Sequence, residues 1–550
     1  MHKKRNYRQR VKEDSSSDEE LSSAQPLDST ASKLTTLSFD DALESDIAFI
    51  PRAPMAKPSQ NKSTHTTNFE VNESKQEDLP ELEGADSRMT LKPTENRGYA
   101  VFAGATVTAG QTLLKEAPYG AVIDEENLTK YCSSCFKSSS QPLSRCSLCK
   151  QLYYCSKQCQ ANDWKQYHSI ECPAFTKIGK PVPTAIRCLT RILISRANAP
   201  VSYNRVENLA SHKDVVPEKV KMKYAQLIMA LKQIVPAKIM PNANDAMDLI
   251  CRFTVNTMSI LGSDYASIGV GLYTNVCRLN HSCWPNCVLA FEGKTATLRT
   301  IRDIAPSEEM CISYIDVMDP YPMRQERLYS QYYFKCQCEL CIHTQDVDIR
   351  NALRCSRANC TGPVRYPDEL ESSDNYNETC TVCMTPVSLK LSDIHERYTR
   401  VSQILDLAGS LIKKDGARAL LNLENCIRIG DNLLHPCHHI LVRARQQIKD
   451  IAIDLKDWDK AYSTTKQLFD LYQSIYPKNS PMTAIESLVI AKMYSHIYPD
   501  HTWKSREHYV QALKLLEIGY DPQSSMIRSV RDELRKLEAE QAFQLHQQTR

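Results

Sequence analysis

Sulfur dominates the chemistry open to this chain. Twenty-two of its 550 residues are cysteine, many in Cys-x2-Cys or Cys-x-Cys pairs. The N-terminus carries no apolar leader, so metal binding is expected over disulfides. The densest run holds Cys132, Cys135, Cys146, Cys149, Cys155, Cys159, His168 and Cys172. Zinc takes four soft or borderline ligands at tetrahedral angles, and a Cys-x2-Cys turn offers two thiolates that a distant pair can complete. Eight such ligands make two full shells, enough to fold this stretch around almost no hydrophobic core. Farther on, Cys336-x-Cys338-x2-Cys341 presents three thiolates and needs a fourth ligand from elsewhere. Cys355-x4-Cys360 and Cys380-x2-Cys383 form another quartet with ribbon-like spacing, a further candidate zinc site. His435, Cys437, His438 and His439 also cluster, but on a helical segment, and are read as a wet helix end rather than a metal site.

Three short runs sit around the sulfur triplet. The first is Gly269-Val-Gly-Leu-Tyr273, continuing to Asn280-His281-Ser-Cys283-Trp-Pro-Asn286-Cys287. The second is Glu308-Glu-Met-Cys-Ile-Ser-Tyr314, and the third is Tyr332-Tyr-Phe334-Lys-Cys336. Together they resemble the signature of a SET-domain protein-lysine methyltransferase. The eight-ligand run upstream resembles a MYND zinc module, and the two in this order resemble the SMYD family. Specific motifs carry the resemblance over roughly residues 88–345, and it extends more loosely over the rest. It implies an α+β multidomain protein: a β-rich SET domain split by a MYND module and a helical insert, a post-SET zinc site, and a C-terminal all-α domain of tetratricopeptide-like (TPR-like) type.

The activity so implied is S-adenosylmethionine-dependent methylation of protein lysines, histone or non-histone, with a role in chromatin or transcription. Methyl transfer from a sulfonium to an amine is an in-line displacement that needs little acid or base help. The site must align the reactants, exclude water and receive a neutral amine. By resemblance, Tyr314 and Tyr332 wall the lysine channel. Asn280 and His281 meet the cofactor from a knot-like crossing over residues 280–286, joined by Asn256 and Tyr332, while Phe334 stacks near the adenine. The family pattern pairs Cys132, Cys135, Cys155 and Cys159 around one zinc and Cys146, Cys149, His168 and Cys172 around a second. It supplies Cys283 as the missing ligand for Cys336, Cys338 and Cys341 around a third, and the ribbon quartet adds a fourth.

The sequence departs from the pattern at the first cofactor loop. The family has Gly-x-Gly with a basic residue just ahead, whereas this chain reads Glu95-Asn96-Arg97-Gly98. Arg97 and Gly98 fit, but Asn96 replaces a glycine and Glu95 puts an acid where a cation often meets the cofactor carboxylate. Either repulsion weakens cofactor binding, or a one-residue shift lets Arg97 take the contact. Ser307 likewise stands where the second run has glycine in the family. Glu95 and Asn96 alone support the competing reading, a SET core of weak or no turnover serving as an adaptor for Pro-rich peptides and chaperone or transcription partners. Direct DNA binding through Lys150, Lys157, Lys165 and Lys177 is not expected, since no base-reading helix is evident.

The remaining sequence supports this arrangement. A formal charge of +3 and 42% apolar residues fit two to four packed units and name no partner. Residues 1–85 are rich in Ser, Thr, Asp, Glu and Pro and are expected to be disordered. Their basic start and the Ser15–Glu20 run read as a solvated tail, with a nuclear signal beside a phosphorylation site as the sharper reading. The split SET domain with its post-SET segment spans 86–345, with the MYND module at 132–172 and the helical insert at 173–250. Met222, Leu227, Met229, Leu231 and Ile234 form an amphipathic stretch of that insert. A four-cysteine ribbon at 350–390 precedes the helical domain at 391–550. There Leu468-Phe469, Leu471-Tyr472 and Tyr476 recur as Ala512-Leu513, Leu515-Leu516 and Tyr520, a weak repeat suited to stacked helix pairs. No run is apolar enough to span a membrane, and nucleus and cytoplasm are the expected locations.

Overall fold

The computed structural model describes residues 82–548 except Asn96, Ser140, Asp264 and 368–373. The readings of residues 1–81 and of Asn96 therefore lie outside the described residues. Within the stretch expected to be disordered, Leu82 and Ala85 pack on the main core, and the Glu83 carbonyl accepts from Asn275 Nδ2 at 3.0 Å.

Small, mostly antiparallel sheets build the N-terminal half. Met89–Thr94 and Gly98–Ala103 form a hairpin that turns at Gly98, whose φ of +67° suits glycine. Met89, Leu91, Val101 and Ala103 face inward at period two. Thr112–Glu116, Thr295–Thr300 and Cys287–Glu292 make one three-stranded sheet; Gly120–Ile123, Ser267–Leu272 and Thr257–Leu261 make another. A Cβ at Gly269 would lie 2.3 Å from the Val122 carbonyl oxygen, and one at Gly271 would lie 2.9 Å from the Tyr273 ring. The glycines of the Gly-Val-Gly run are thus fixed by close strand approach.

The zinc-type module and the helical insert pack on the same core as these strands. The insert comprises Thr184–Asn198, Pro200–Glu207, Glu218–Ile234 and Ala243–Asn256, ending six residues beyond the expected 250 because Ile250 and Phe253 continue the buried face. Leu227, Leu231 and Ile234 are buried, while Met222 and Met229 lie on the opposite face, 63% and 52% exposed.

Beyond the ribbon, seven helices run from Leu391 to Gln548, each packed on its neighbours in sequence. Asp415 and Asp457 cap two of them through the amides of Arg418 and Lys460. The two halves of the weak repeat agree in burial, with Leu468, Tyr472 and Tyr476 matched by Ala512, Leu516 and Tyr520, all in the core. This domain is fastened to the N-terminal half. Arg299 donates to the carbonyls of Glu517 and Ile518, Asn479 to that of Ile301, and Ser525 to Glu292. No described helix is long and apolar enough to cross a membrane.

Candidate active site and metal centres

Two chain segments cross where the sequence motifs converge. Asn280–His281 pairs in parallel with Cys311–Ile312, and the Ser282 amide donates to the Ile312 carbonyl at 2.9 Å. Asn286 laces the crossing: its Nδ2 donates to the Glu309 carbonyl at 2.8 Å and to Glu308 Oε1 at 3.1 Å, while its Oδ1 accepts the Cys311 amide at 2.8 Å. The Asn and Glu-Glu motifs thus tie one segment to the other.

The crossing holds a cluster of rings. Tyr314 and Tyr332 lie 4.9 Å apart between centroids, His281 is 5.3 Å from Tyr314 and 6.0 Å from Phe334, and Phe334 is 6.5 Å from Tyr332. The Tyr314 hydroxyl donates to the Leu279 carbonyl at 2.6 Å, leaving its oxygen lone pairs free to accept. Burial, reinforced by Tyr332, holds the Tyr314 phenol well above its ordinary pKa, and burial raises Tyr332 likewise. Both rings stay neutral hydroxyls, suited to orienting an amine rather than to acting as bases.

His281 is committed within the protein. Its Nδ1 accepts the Tyr314 amide at 3.0 Å, which leaves the proton on Nε2, 3.1 Å from Cys283 Sγ. Burial drives its pKa down to about 4, so the ring is neutral. Both ring nitrogens of His281 are thus engaged within the protein. Asn256 is similar: its Nδ2 donates to the Ala210 and Arg252 carbonyls, both at 2.8 Å, and its own carbonyl accepts from Cys277 Sγ at 2.9 Å.

Arg97 reaches the site from the exposed turn that also carries Glu95 and Gly98. It pairs with Glu309 Oε2 at 2.6 Å, and Asn280 Nδ2 donates to the other oxygen of Glu309 at 2.8 Å. Arg97 and Asn280 thus meet through a carboxylate to which the sequence analysis gave no role, though it stands in the quoted Glu-Glu run. A second overlooked carboxylate, Glu116, is 9% exposed and accepts the amides of Asn275 and Val276 at 3.0 Å and the Thr274 hydroxyl at 3.2 Å. It caps the turn that leads into Leu279 and Asn280.

All sixteen sequence-predicted ligands gather into the four expected sets. The groups Cys132, Cys135, Cys155, Cys159; Cys146, Cys149, His168, Cys172; Cys283, Cys336, Cys338, Cys341; and Cys355, Cys360, Cys380, Cys383 each have their donor atoms within 4.8 Å of one another. Tetrahedral zinc–thiolate bonds of about 2.3 Å place neighbouring sulfurs about 3.8 Å apart. The observed separations include 3.7 Å for Cys135–Cys155, 3.8 Å for Cys146–Cys172 and 3.6 Å for Cys283–Cys341. These donor sets fit zinc.

Buried charges brace two of the sets. His168 turns Nε2 to Cys149 at 3.4 Å and Nδ1 to Glu171 at 3.3 Å, an orienting carboxylate behind a ligand histidine. Arg191 of the insert binds Glu171 at 2.9 Å and Asp163 at 3.0 Å, and Tyr154 donates to Asp163 at 2.8 Å. At the post-SET set, the wholly buried Arg324 pairs with Asp348 at 3.0 Å and lies 4.0 Å from Cys341 Sγ. The other oxygen of Asp348 holds Arg350, which donates to the Ile475 carbonyl in the helical domain. The expected wet helix end at 435–439 is instead dry. His435, His438 and His439 are buried, and His435 Nε2 is 2.9 Å from the Thr361 carbonyl of the ribbon, which covers it.

Comparison with known proteins agrees with this geometry. The SET domain family matches residues 98–315. Histone-lysine N-methyltransferase ASHR1 of Arabidopsis thaliana is 26% identical over 468 residues, covering 81% of this chain and 95% of its own. Human histone-lysine N-methyltransferase SMYD3 is 31% identical, covering 78% and 91%. The SET domain and MYND-type zinc finger protein 6 of Schizosaccharomyces pombe is 33% identical over 250 residues, 44% of this chain and half of its own. Among solved structures, BtubC from P. vanneervenii overlays 27% of the chain at a TM-score of 0.21 and 15% identity, too slight a likeness to carry an argument. The chain belongs to the SMYD family.

Proposed function

We propose that this protein methylates lysine side chains of proteins, with the ring cluster at Tyr314 and Tyr332 as the place where the amine is received. The paired phenols 4.9 Å apart, beside a crossing secured by Cys283, carry this reading. S-adenosylmethionine, the methyl donor of SET methyltransferases, would supply an activated methyl on a cationic sulfur. The chain's own residues supply position. Tyr314 spends its hydrogen on Leu279 and presents lone pairs to an incoming N–H. Tyr332 and Phe334 exclude water with apolar ring surface. The Arg97–Glu309–Asn280 chain, with the main chain at His281 and Asn256, is the polar end suited to an amino-acid-like donor. Arg97 spends one of its five donors on Glu309 beside Asn280 and keeps others for a donor carboxylate, which supports the shifted-contact alternative over loss of cofactor binding and over the inactive adaptor.

Zinc at the two sets of the module and at the post-SET set accounts for three ions, and the ribbon quartet is suited to a fourth. The names of ASHR1 and SMYD3 mention histone lysines, so histone tails are the first substrates to try. A TPR-like role for the helical domain, with chaperone partners, and Pro-rich ligands for the MYND face follow from the same resemblance, as do nuclear and cytoplasmic location. The test is transfer of a labelled methyl to core histones and to cell-extract proteins, run beside calorimetry with the donor. Transfer to lysine supports the proposal; donor binding without transfer to any protein, or no donor binding at all, refutes it.

A further inference from the structure

We propose that Cys355, Cys360, Cys380 and Cys383 hold a structural zinc ion whose task is to fasten the helical domain to the post-SET segment. The site lies outside residues 98–315, where the SET family matches, and outside the eight-ligand module. The proposal therefore stands apart from methyl transfer itself.

The local geometry is that of a metal-thiolate knuckle rather than of four loose thiols. Cys355 and Cys383 sulfurs are 3.5 Å apart and those of Cys360 and Cys380 are 3.7 Å apart, close to the edge of a zinc tetrahedron. The amides of Arg357 and Gly362 each donate to the sulfur two residues earlier, Cys355 and Cys360, at 3.4 Å. Asn359 and Met384, each beside a ligand, adopt left-handed φ of +61° and +56°. A Cβ on Gly362 would lie 2.4 Å from Cys380 Sγ. The chain accepts unfavourable backbone to bring the four sulfurs together.

Besides the sulfurs, the ribbon is held by Leu353, Val364, Tyr376 and Val387, which share a buried core with Ile394 and Leu434 of the helical domain. The strands are short: Leu353–Arg354 with Pro363–Val364, and Asn375–Thr379 with Pro386–Lys390. Isolated two-stranded hairpins are marginal in water. Yet this ribbon carries a connection between the two halves. The Arg354 amide donates to the Leu433 carbonyl at 2.9 Å, the His435 amide to the Ala352 carbonyl at 3.0 Å, and His435 Nε2 meets Thr361, the residue after Cys360. Just upstream, Arg350 binds both Asp348 and the Ile475 carbonyl. The knuckle thus stiffens the strap that joins the Cys341 neighbourhood to the turn over residues 431–439.

The experiment measures metal content of the full chain by native mass spectrometry, and hydrogen exchange in wild type and in the Cys380→Ser/Cys383→Ser double variant. Four zinc ions in wild type, three in the variant, and exchange faster at least tenfold over residues 353–366 and 431–439 are expected. Three zincs in wild type with these four cysteines open to alkylation, or iron in place of zinc, would overturn the site. Four and three zincs with unchanged exchange at 431–439 would overturn the fastening role. Should the double variant not fold, native alkylation mapping of wild type decides: protection of all four cysteines with four zincs supports the site, and modification of them refutes it.

Discussion

Replacing Tyr314 by phenylalanine removes one atom and tests the channel directly. The lost hydroxyl donates to Leu279, a fully buried residue, at 2.6 Å. Orphaning a buried carbonyl costs about 1–3 kcal/mol, and the ring itself, packed between Tyr332 and His281, should stay in place. That cost falls on the fold in ground and transition state alike; if the oxygen also holds the amine in line, leaving the buried amine N–H unpaired costs about 1–3 kcal/mol more in the transition state. At 1.36 kcal/mol per tenfold, the rate constant for transfer should fall by roughly 5- to 150-fold. Single-turnover transfer of labelled methyl reads this loss, and donor affinity by calorimetry should change less than threefold. Tyr332→Phe is the control, since it removes a hydroxyl from the facing ring and leaves the Leu279 bond intact. A Tyr314→Phe enzyme within twofold of wild type would refute the claim that this hydroxyl orients the acceptor.

Three further substitutions probe the supports of the site. Cys338→Ser should lower the zinc count by one and abolish most turnover while circular dichroism shows the helices kept, because the sulfur set closes the segment that carries Tyr332 and Phe334; full activity would contradict the clamp. Glu116→Gln keeps one acceptor oxygen but turns an N–H donor toward the amides of Asn275 and Val276. It should destabilise the catalytic half by about 1–3 kcal/mol in denaturant titrations, and an unchanged midpoint would show that the turn holds without it. The third concerns acid. Burial, with His435 nearby, drives the His438 pKa down to about 3. The unfolded chain therefore binds a proton that the folded one refuses, so stability is complete above about pH 6.5 and falls as pH drops toward 3. From pH 6.5 to 5 this is roughly 2 kcal/mol, and His438→Gln should flatten the pH dependence of unfolding by that amount. Equal slopes for both proteins would argue that His438 is protonated in the native state.

What could be read in advance followed the length scale of the interaction. Most ligand cysteines stand two to five residues from another, so local spacing announces them, while the lone Cys283 was named only by the resemblance; the four sets gather as read. Tyr314, Tyr332 and Phe334 were singled out because motifs fix their offsets from other recognisable residues, and the three rings lie together. Asn256 and His281 show the limit, since a motif names the residue without saying whether side chain or main chain faces the ligand. Buried charge was invisible. Arg191, Glu171 and Asp163 belong to no motif, and only the packing of the insert on the zinc module brings them together in the interior. Arg97 and Glu309 pair across 212 positions, a separation over which no periodicity carries information. The histidines at 435–439 failed for a related reason. Polar residues opening a helix are usually wet, but here the ribbon lies over them, and their dryness depends on its staying in place.

That dependence gives the architecture its logic. A core of short strands cannot by itself hold a channel to within fractions of an ångström, because small sheets with few paired strands are weakly stabilised. The chain places sulfur sets at the joints between its parts and backs two of them with buried Arg–carboxylate pairs. Breaking such a pair leaves an uncompensated buried charge, which costs about 3–5 kcal/mol. Positional accuracy at Tyr314 and Tyr332 therefore rests on residues that touch neither reactant: Arg324 and Asp348 behind Cys341, and Glu116 behind Leu279. Substitution there should lower transfer rates before it lowers donor affinity, the reverse of what is expected at Arg97.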